Sequence, residues 1–316
     1  MSDSDRQANS VVAGATAKNG TEATAHNFLA GLARFVKSMA ESQPVELHVY
    51  LDEKGTPAVD RRFITGGVAV YGDVKAAERE WDDFARLHSI RGKKGRDLKD
   101  RQLRDCSTHL RTQPMLPVGY HTQLSDDELE ELRRFAKHYS RSTSPAKLFA
   151  KLPPGSFIWK QQMTQAAGTV FASVTSFVGP VNRAALHIEE VPDNAEVRKV
   201  YEETLRQNTS KARMAALFNA RGMPETLRSV LLSSAPETWS IDLNAKGPLA
   251  HLADVACTMY DRWVSASYRP AWDLWRAEHM RAGTLVAPIC AGRDGTSDMR
   301  SWLRRLYVEG DPDVTC

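Results

Sequence analysis

From Val45 the chain alternates. Val45, Leu47, Val49 and Leu51 fall to one side of an extended backbone, and Glu46, His48, Tyr50 and Asp52 to the other, so the period of two predicts a strand with one buried face. EKGTPAVD carries turn chemistry, and RRFITGGVAVYG, Arg61 to Gly72, returns as a second strand, which predicts a hairpin. Gly66 and Gly67 inside it mark a bulge or a place where another backbone comes close. Upstream, between His26 and Ser42, Phe28, Leu29, Leu32, Phe35, Val36 and Met39 keep helical spacing.

Beyond the hairpin the period changes repeatedly. A helix is expected over Val74 to Leu87, then a basic segment, then a third strand in PMLPVGYHT, residues 114–122. Ser125 with Glu128 three residues on is a capping box that opens a helix to about Tyr139, and it explains the acidic run DDELEE as a helix N-terminus. Phe157 to Val178 is apolar and alanine-rich, which predicts one buried helix or two. AALHIEEV, residues 184–191, reads as a short strand. Asp193 and Glu196 open a helix whose inward stripe is Val197, Val200, Tyr201, Thr204 and Leu205. ETLRSVLLSS and TWSIDLN are two candidate strands, of which at least one is expected. Gly247 and Pro248 start a last strong helix with Leu249, Leu252, Ala256, Met259 and Trp263 inward. Hairpin strands first, then strands alternating with helices, predict an α/β fold: a mixed sheet flanked by helices.

Composition bounds the function classes. The chain has 316 residues, 42% hydrophobic and 26% charged, with a net charge of +3; this is ordinary globular composition. No apolar run is long enough to span a bilayer, and the N-terminus lacks the basic start and apolar stretch of a signal peptide, so a cytoplasmic protein is expected. Cys106, Cys257, Cys290 and Cys316 lie far apart without CxxC spacing, which argues against a zinc site or disulfide framework. Residues 1–24 are poor in large apolar groups and read as a disordered tail, 25–264 as one domain with a helical insertion around 124–180, and 265–316 as a C-terminal helical extension. Charge is concentrated in RGKKGRDLKDRQLR, residues 91–104, with seven basic residues against two acidic. That is either a solvated loop or a positive patch beside a site.

Four acids fall where a sheet edge and a helix could converge: Asp52 ending the first strand, Asp97 in the basic segment, Glu189 or Glu190 ending a later strand, and Asp254 in the last helix. Taken singly each has a plain explanation: a turn residue, an ion-pair partner, a strand end, an exposed helix face. Taken together they repel, and such a group is tolerated when a cation or shared proton neutralises it. Oxygen-only ligands suit Mg2+ or Mn2+, and two such ions cleave phosphodiesters.

The wording of these segments carries a resemblance. YLDEKG at 50–55 followed by FITGGVAV, and HLADVACTMYDRW from His251, resemble the opening and late signatures of the domain-of-unknown-function family numbered 3800. GRDLKDRQL and LHIEE sit where that family has an acidic-plus-lysine motif and a strand ending in an acid. The likeness runs from about Val45 to Trp263. It implies an RNase H-like fold and a divalent-metal-dependent nuclease, with Asp52, Asp97, Glu189 and Asp254 catalytic. Asp52, Glu189 and Asp254 would hold Mg2+ or Mn2+, with Glu190 as substitute for Glu189. Lys93, Lys94, Arg96, Lys99 and Arg101 would hold a nucleic-acid backbone without reading its sequence. Lys54 stands in place of the usual serine, His251 of the usual glutamine, and Glu189 of the commoner aspartate. The other reading is a catalytically inactive nucleic-acid-binding or assembly module, in a mobile-element or phage-defence system, with a protein partner or a second copy.

Other chemistry is weaker. His187 and His251 suit zinc or manganese, but a core hydrogen bond or a helix start explains them better. No HExxH, P-loop or GxSxG motif occurs. Tyr268, Trp272, Trp275 and Arg276 could stack on bases, though packing of their helix explains the same spacing.

Overall fold

The structure is a computed structural model that describes residues 44–55, 61–110, 115–139, 154–174, 180–189, 195–220, 225–236, 239–264 and 289–292. The tail, the helix expected before Ser42, and Tyr268 to Arg276 lie outside the described residues.

Strand β1 (Val45–Lys54) pairs antiparallel with β2 (Arg62–Tyr71), and β2 with β3 (Met115–Gln123). On its other edge β1 pairs parallel with β4 (Val181–Glu189), and β4 with β5 (Trp239–Ala245). A four-residue strand β6 (Ile289–Gly292) adds parallel to β3, giving the order β5-β4-β1-β2-β3-β6. The fold is therefore the expected mixed α/β sheet. The segment after 264, expected to be helical, contributes a strand in its described residues.

Helices cover both faces. On one lie α1 (Val74–Leu87), α2 (Asp100–Leu110) and α8 (Pro248–Val264), whose Trp81, Leu103 and Leu252 join Tyr50, Ile64, Val68 and Val70. On the other, α4 (Pro154–Val174) and α5 (Ala195–Asn208) bring Met163, Val170, Phe171 and Tyr201 onto Leu47, Val49 and Leu51. Helices α3 (Asp126–Tyr139) and α6 (Lys211–Ala220) pack on α4, and α7 (Glu225–Ser234) on α6. Strand β1 is central, so Val49 to Asp52 are buried on both faces rather than one. Each apolar side chain so covered contributes roughly 1.5–3 kcal/mol.

Two expectations are corrected. ETLRSVLLSS is helix α7, not a strand, leaving TWSIDLN as β5; its Leu227, Val230 and Leu231 keep the i, i+3, i+4 spacing of a helix rather than the alternation of a strand. Gly66 and Gly67 mark no bulge, because the β1–β2 register runs through them unbroken. Close approach is their role: a Cβ on Gly66 would stand 2.4 Å from the Cys257 Cα of α8.

That approach sets the path of α8. Asp52, Gly66 and Gly119 form one row across β1, β2 and β3. Cys257 lies against Gly66, and the Tyr260 ring against Gly119, where a Cβ would meet it at 2.7 Å. Three helical residues rise about 4.5 Å, close to the ~4.8 Å between strands. Helix α8 thus crosses one strand per three residues, and the same step back from Cys257 brings Asp254 to β1. Gly247, at φ +101°, turns the chain into Pro248 at the first helical position.

Candidate active site

Asp52 lies inside β1, not in the turn, and is 7% exposed. Its Oδ1 accepts the Glu53 N–H at 2.9 Å. Asp254, 6% exposed, accepts the Gly95 N–H on Oδ2 at 2.6 Å. Glu189 ends β4 with its side chain 42% exposed, and its Oε1 takes the Lys94 ammonium at 3.1 Å. Thr258, one turn after Asp254, donates to the Asp254 carbonyl and accepts from Lys54 Nζ.

These groups feel one another. Burial pushes the Asp52 carboxyl up to about 8, helped by the charges of Glu53, Asp254 and Glu189 against the lowering effect of its backbone bond. Glu53 is pushed up to about 7, by burial first and then by Glu189, while Lys94 and Lys160 pull it down. Lys94 is held above its usual value, chiefly by its hydrogen bond to Glu189 and further by Asp254 and Asp52. The charges of Asp254, on the crossing helix, and Glu189, on the parallel neighbour, thus reach Asp52 on the central strand.

Asp97 does not join them. It sits in a 3-10 turn, Gly95–Asp97, with its side chain 61% exposed and 3.9 Å from Arg96, and its charge is not among those acting on Asp52 or Glu53. The part of that turn that reaches the acids is Gly95, whose Cβ would collide with Thr258 Oγ1 at 2.3 Å and the Asp254 carbonyl at 2.7 Å. Glu190 lies outside the described residues. Glu53, not among the acids singled out from the sequence, is close enough for its charge to act on Asp52. No spacing in the sequence would have marked it.

The basic segment is laid across α8. His251 donates Nε2–H to the Lys93 carbonyl at 2.8 Å and accepts the Trp81 Nε1–H on Nδ1 at 3.3 Å, so both ring nitrogens are engaged and it ties the segment down rather than offering a metal ligand. Arg262 reaches the Leu98 carbonyl and the Asp100 carboxylate, each at 3.4 Å. Lys93, Arg96, Lys99 and Arg101 are exposed along this segment, while Lys94 turns onto Glu189.

His187 is bound in its own chain. Asp242 accepts from its Nδ1 at 3.3 Å, its Nε2 meets His48 Nδ1 at 3.0 Å, and Tyr50 stacks on it at 4.2 Å. Burial lowers both imidazoles.

The side chains near Asp52 offer hard carboxylate oxygens, a donor type that suits Mg2+ or Mn2+, while a proton on Asp52 relieves the same repulsion. Among the described residues, no three His, Cys, Asp or Glu side chains converge as a ready-made cage; Glu189 is engaged by Lys94. Among the described residues, too, no helix is long and apolar enough to cross a membrane. No protein-family model matches the chain, and no curated protein matches it.

Proposed function

We propose that this chain is a divalent-metal-dependent nuclease of RNase H-like fold, similar to the domain-of-unknown-function family numbered 3800, acting on a nucleic-acid phosphodiester in the cytoplasm. The observation that carries the reading is buried Asp52 on the central strand, its carboxyl pushed up to about 8 by burial and then by neighbouring charges that include Asp254 and Glu189. A buried acid within reach of two other acidic charges is costly, and a bound cation offsets that repulsion. The strand order supports the same reading: three antiparallel strands, two parallel ones beyond, and the first acid on the central strand.

Asp52, Glu189 and Asp254 would hold Mg2+ or Mn2+, which supplies activation of water and stabilisation of the leaving oxygen. Asp254 is fixed by the Gly95 amide, and Asp52 by its place in β1. Lys93, Arg96, Lys99 and Arg101 would grip phosphates along the segment that α8 holds in place. Cleavage of single- and double-stranded DNA and RNA, with Mn2+ or with EDTA, tests this. Asp52→Asn and Asp254→Asn are expected to lose at least about 100-fold in rate; equal activity in Asp52→Asn would sink the reading.

A second reading is a binding or assembly module without catalysis. The engagement of Glu189 by Lys94 favours it. Salt-sensitive nucleic-acid binding in a protein that takes up no Mn2+ in calorimetry would select it over the first.

A further inference from the structure

Lys94, its side chain half-exposed, is the lysine of its segment that pairs with an acid at the end of β4. Its Nζ pairs with Glu189 at 3.1 Å, and it lies within electrostatic reach of Asp52 and Asp254. Its backbone is fixed on both sides: the Lys93 carbonyl by His251 at 2.8 Å and the Gly95 amide by Asp254 at 2.6 Å. Gly95 itself fits only without a Cβ. These ties fix the backbone that carries Lys94, so the half-exposed ammonium is aimed at Glu189. The chain thus holds the Lys94 ammonium on Glu189, where its charge also acts on Glu53.

We propose that Lys94 is an internal counter-ion that occupies the carboxylate centre in the metal-free protein and is displaced from Glu189 when a divalent cation enters. The inference rests on the metal-dependent reading above and adds its regulation. Lys94 lowers the affinity for free metal, since the entering ion must replace an existing ion pair and approach a like charge. It also keeps the empty centre folded by neutralising part of the repulsion.

Mn2+ alone is the probe. Free Mn2+ is counted by its electron paramagnetic resonance signal during titration of the full chain at pH 8 and low salt. The proteins compared are the wild type, Lys94→Met, and Lys199→Met, which removes the same charge from an exposed position on α5. Lys94→Met is expected to bind Mn2+ roughly five- to tenfold tighter than wild type, a range set by one screened charge, while Lys199→Met stays within about twofold. In EDTA, Lys94→Met is expected to melt below wild type, and Mn2+ to raise its melting temperature by more. Should Lys94→Met fail to fold in EDTA, recovery of its fold on adding Mn2+ supports the inference. Failure to recover, where wild type binds Mn2+, overturns it. Equal or weaker Mn2+ binding by a folded Lys94→Met also overturns it and leaves the nuclease reading standing. Absence of Mn2+ binding in every protein removes that reading and the inference together.

Discussion

Replacing Asp52 by Asn should stabilise the metal-free protein, and by more as pH rises. In the fold the Asp52 carboxyl is pushed up from 3.8 to about 8, by burial and then by Glu53, Asp254 and Glu189. Its folded pKa is raised above the unfolded one, so the folded chain holds the extra proton between pH 4 and 8. Stability is greatest below that window, falls as pH rises through it and levels off above about 8. At about 1.4 kcal/mol per pKa unit, the whole shift bounds the cost of ionised Asp52 at about 6 kcal/mol. Glu189 is 42% exposed and screened, so about 2–3 kcal/mol is the expected measured gain. Asparagine keeps an oxygen to accept the Glu53 amide, so the backbone bond survives. Urea unfolding in EDTA at about pH 5, 7 and 9 reads the effect. The difference between Asp52→Asn and wild type should be small at pH 5 and largest at pH 9, and Mn2+ should stabilise only the wild type at pH 9. An Asp52→Asn protein that is less stable than wild type at pH 9, or that keeps the full pH slope, would refute the reasoning.

Gly66→Ala places a Cβ 2.4 Å from the Cys257 Cα and 3.0 Å from its N; backbone cannot swing aside, so α8 must lift, at about 2–3 kcal/mol by urea unfolding, with cleavage falling as Asp254 moves from Asp52. His251→Gln should keep stability within about 1 kcal/mol because an amide can serve both Trp81 and Lys93, whereas His251→Leu leaves an N–H and a carbonyl unpaired and should cost about 1–3 kcal/mol. Neutralising Lys93, Arg96, Lys99 or Arg101 one at a time should weaken nucleic-acid binding about equally for all sequences and reduce the salt slope by about 1 each; fluorescence anisotropy at several salt concentrations checks it.

The sheet was legible because its strands carry strong local signals. The alternation of β1, the hairpin turn, the capping box at Ser125 and the Gly247-Pro248 start are short-range features, and α1, β3, β5 and α8 follow from the same kind of evidence. The misread element, α7, is a short apolar run whose i, i+3, i+4 spacing is in fact helical, and α2 and α6 went unmarked. Helix α2 lies in a stretch whose charges drew the eye from Leu103, Cys106 and Leu110, the stripe buried against α1 and the sheet. Of the site, Asp52 and Asp254 were readable through resemblance, and Glu189 as a strand end. Lys94 was not distinguishable from Lys93 or Lys99, since only the docking of Gly95 on Asp254 decides which lysine meets Glu189. Asp97 was chosen for its charge, and it is the backbone two residues earlier that reaches the acids.

Two separate costs meet at one point in this fold, and that coincidence is the strongest physical argument about it. Position 52 follows Tyr50 on the α8 face of the sheet centre, where another apolar side chain would stabilise and an acid destabilises. Gly66 and Gly119 extend the same row across β2 and β3, and glycine in a strand interior costs roughly 0.5–1 kcal/mol relative to alanine. A helix over this sheet could pack on larger side chains at ordinary spacing. With glycines beneath it, α8 instead comes close enough for a Cβ to collide, and the closeness delivers Asp254 to Asp52. Sequences break local rules at functional places. Here the broken rules are of different kinds, charge in one case and chain entropy in the other, yet both act to hold two carboxylates together. A solvated turn acid, or an acid on an exposed helix face, would require neither.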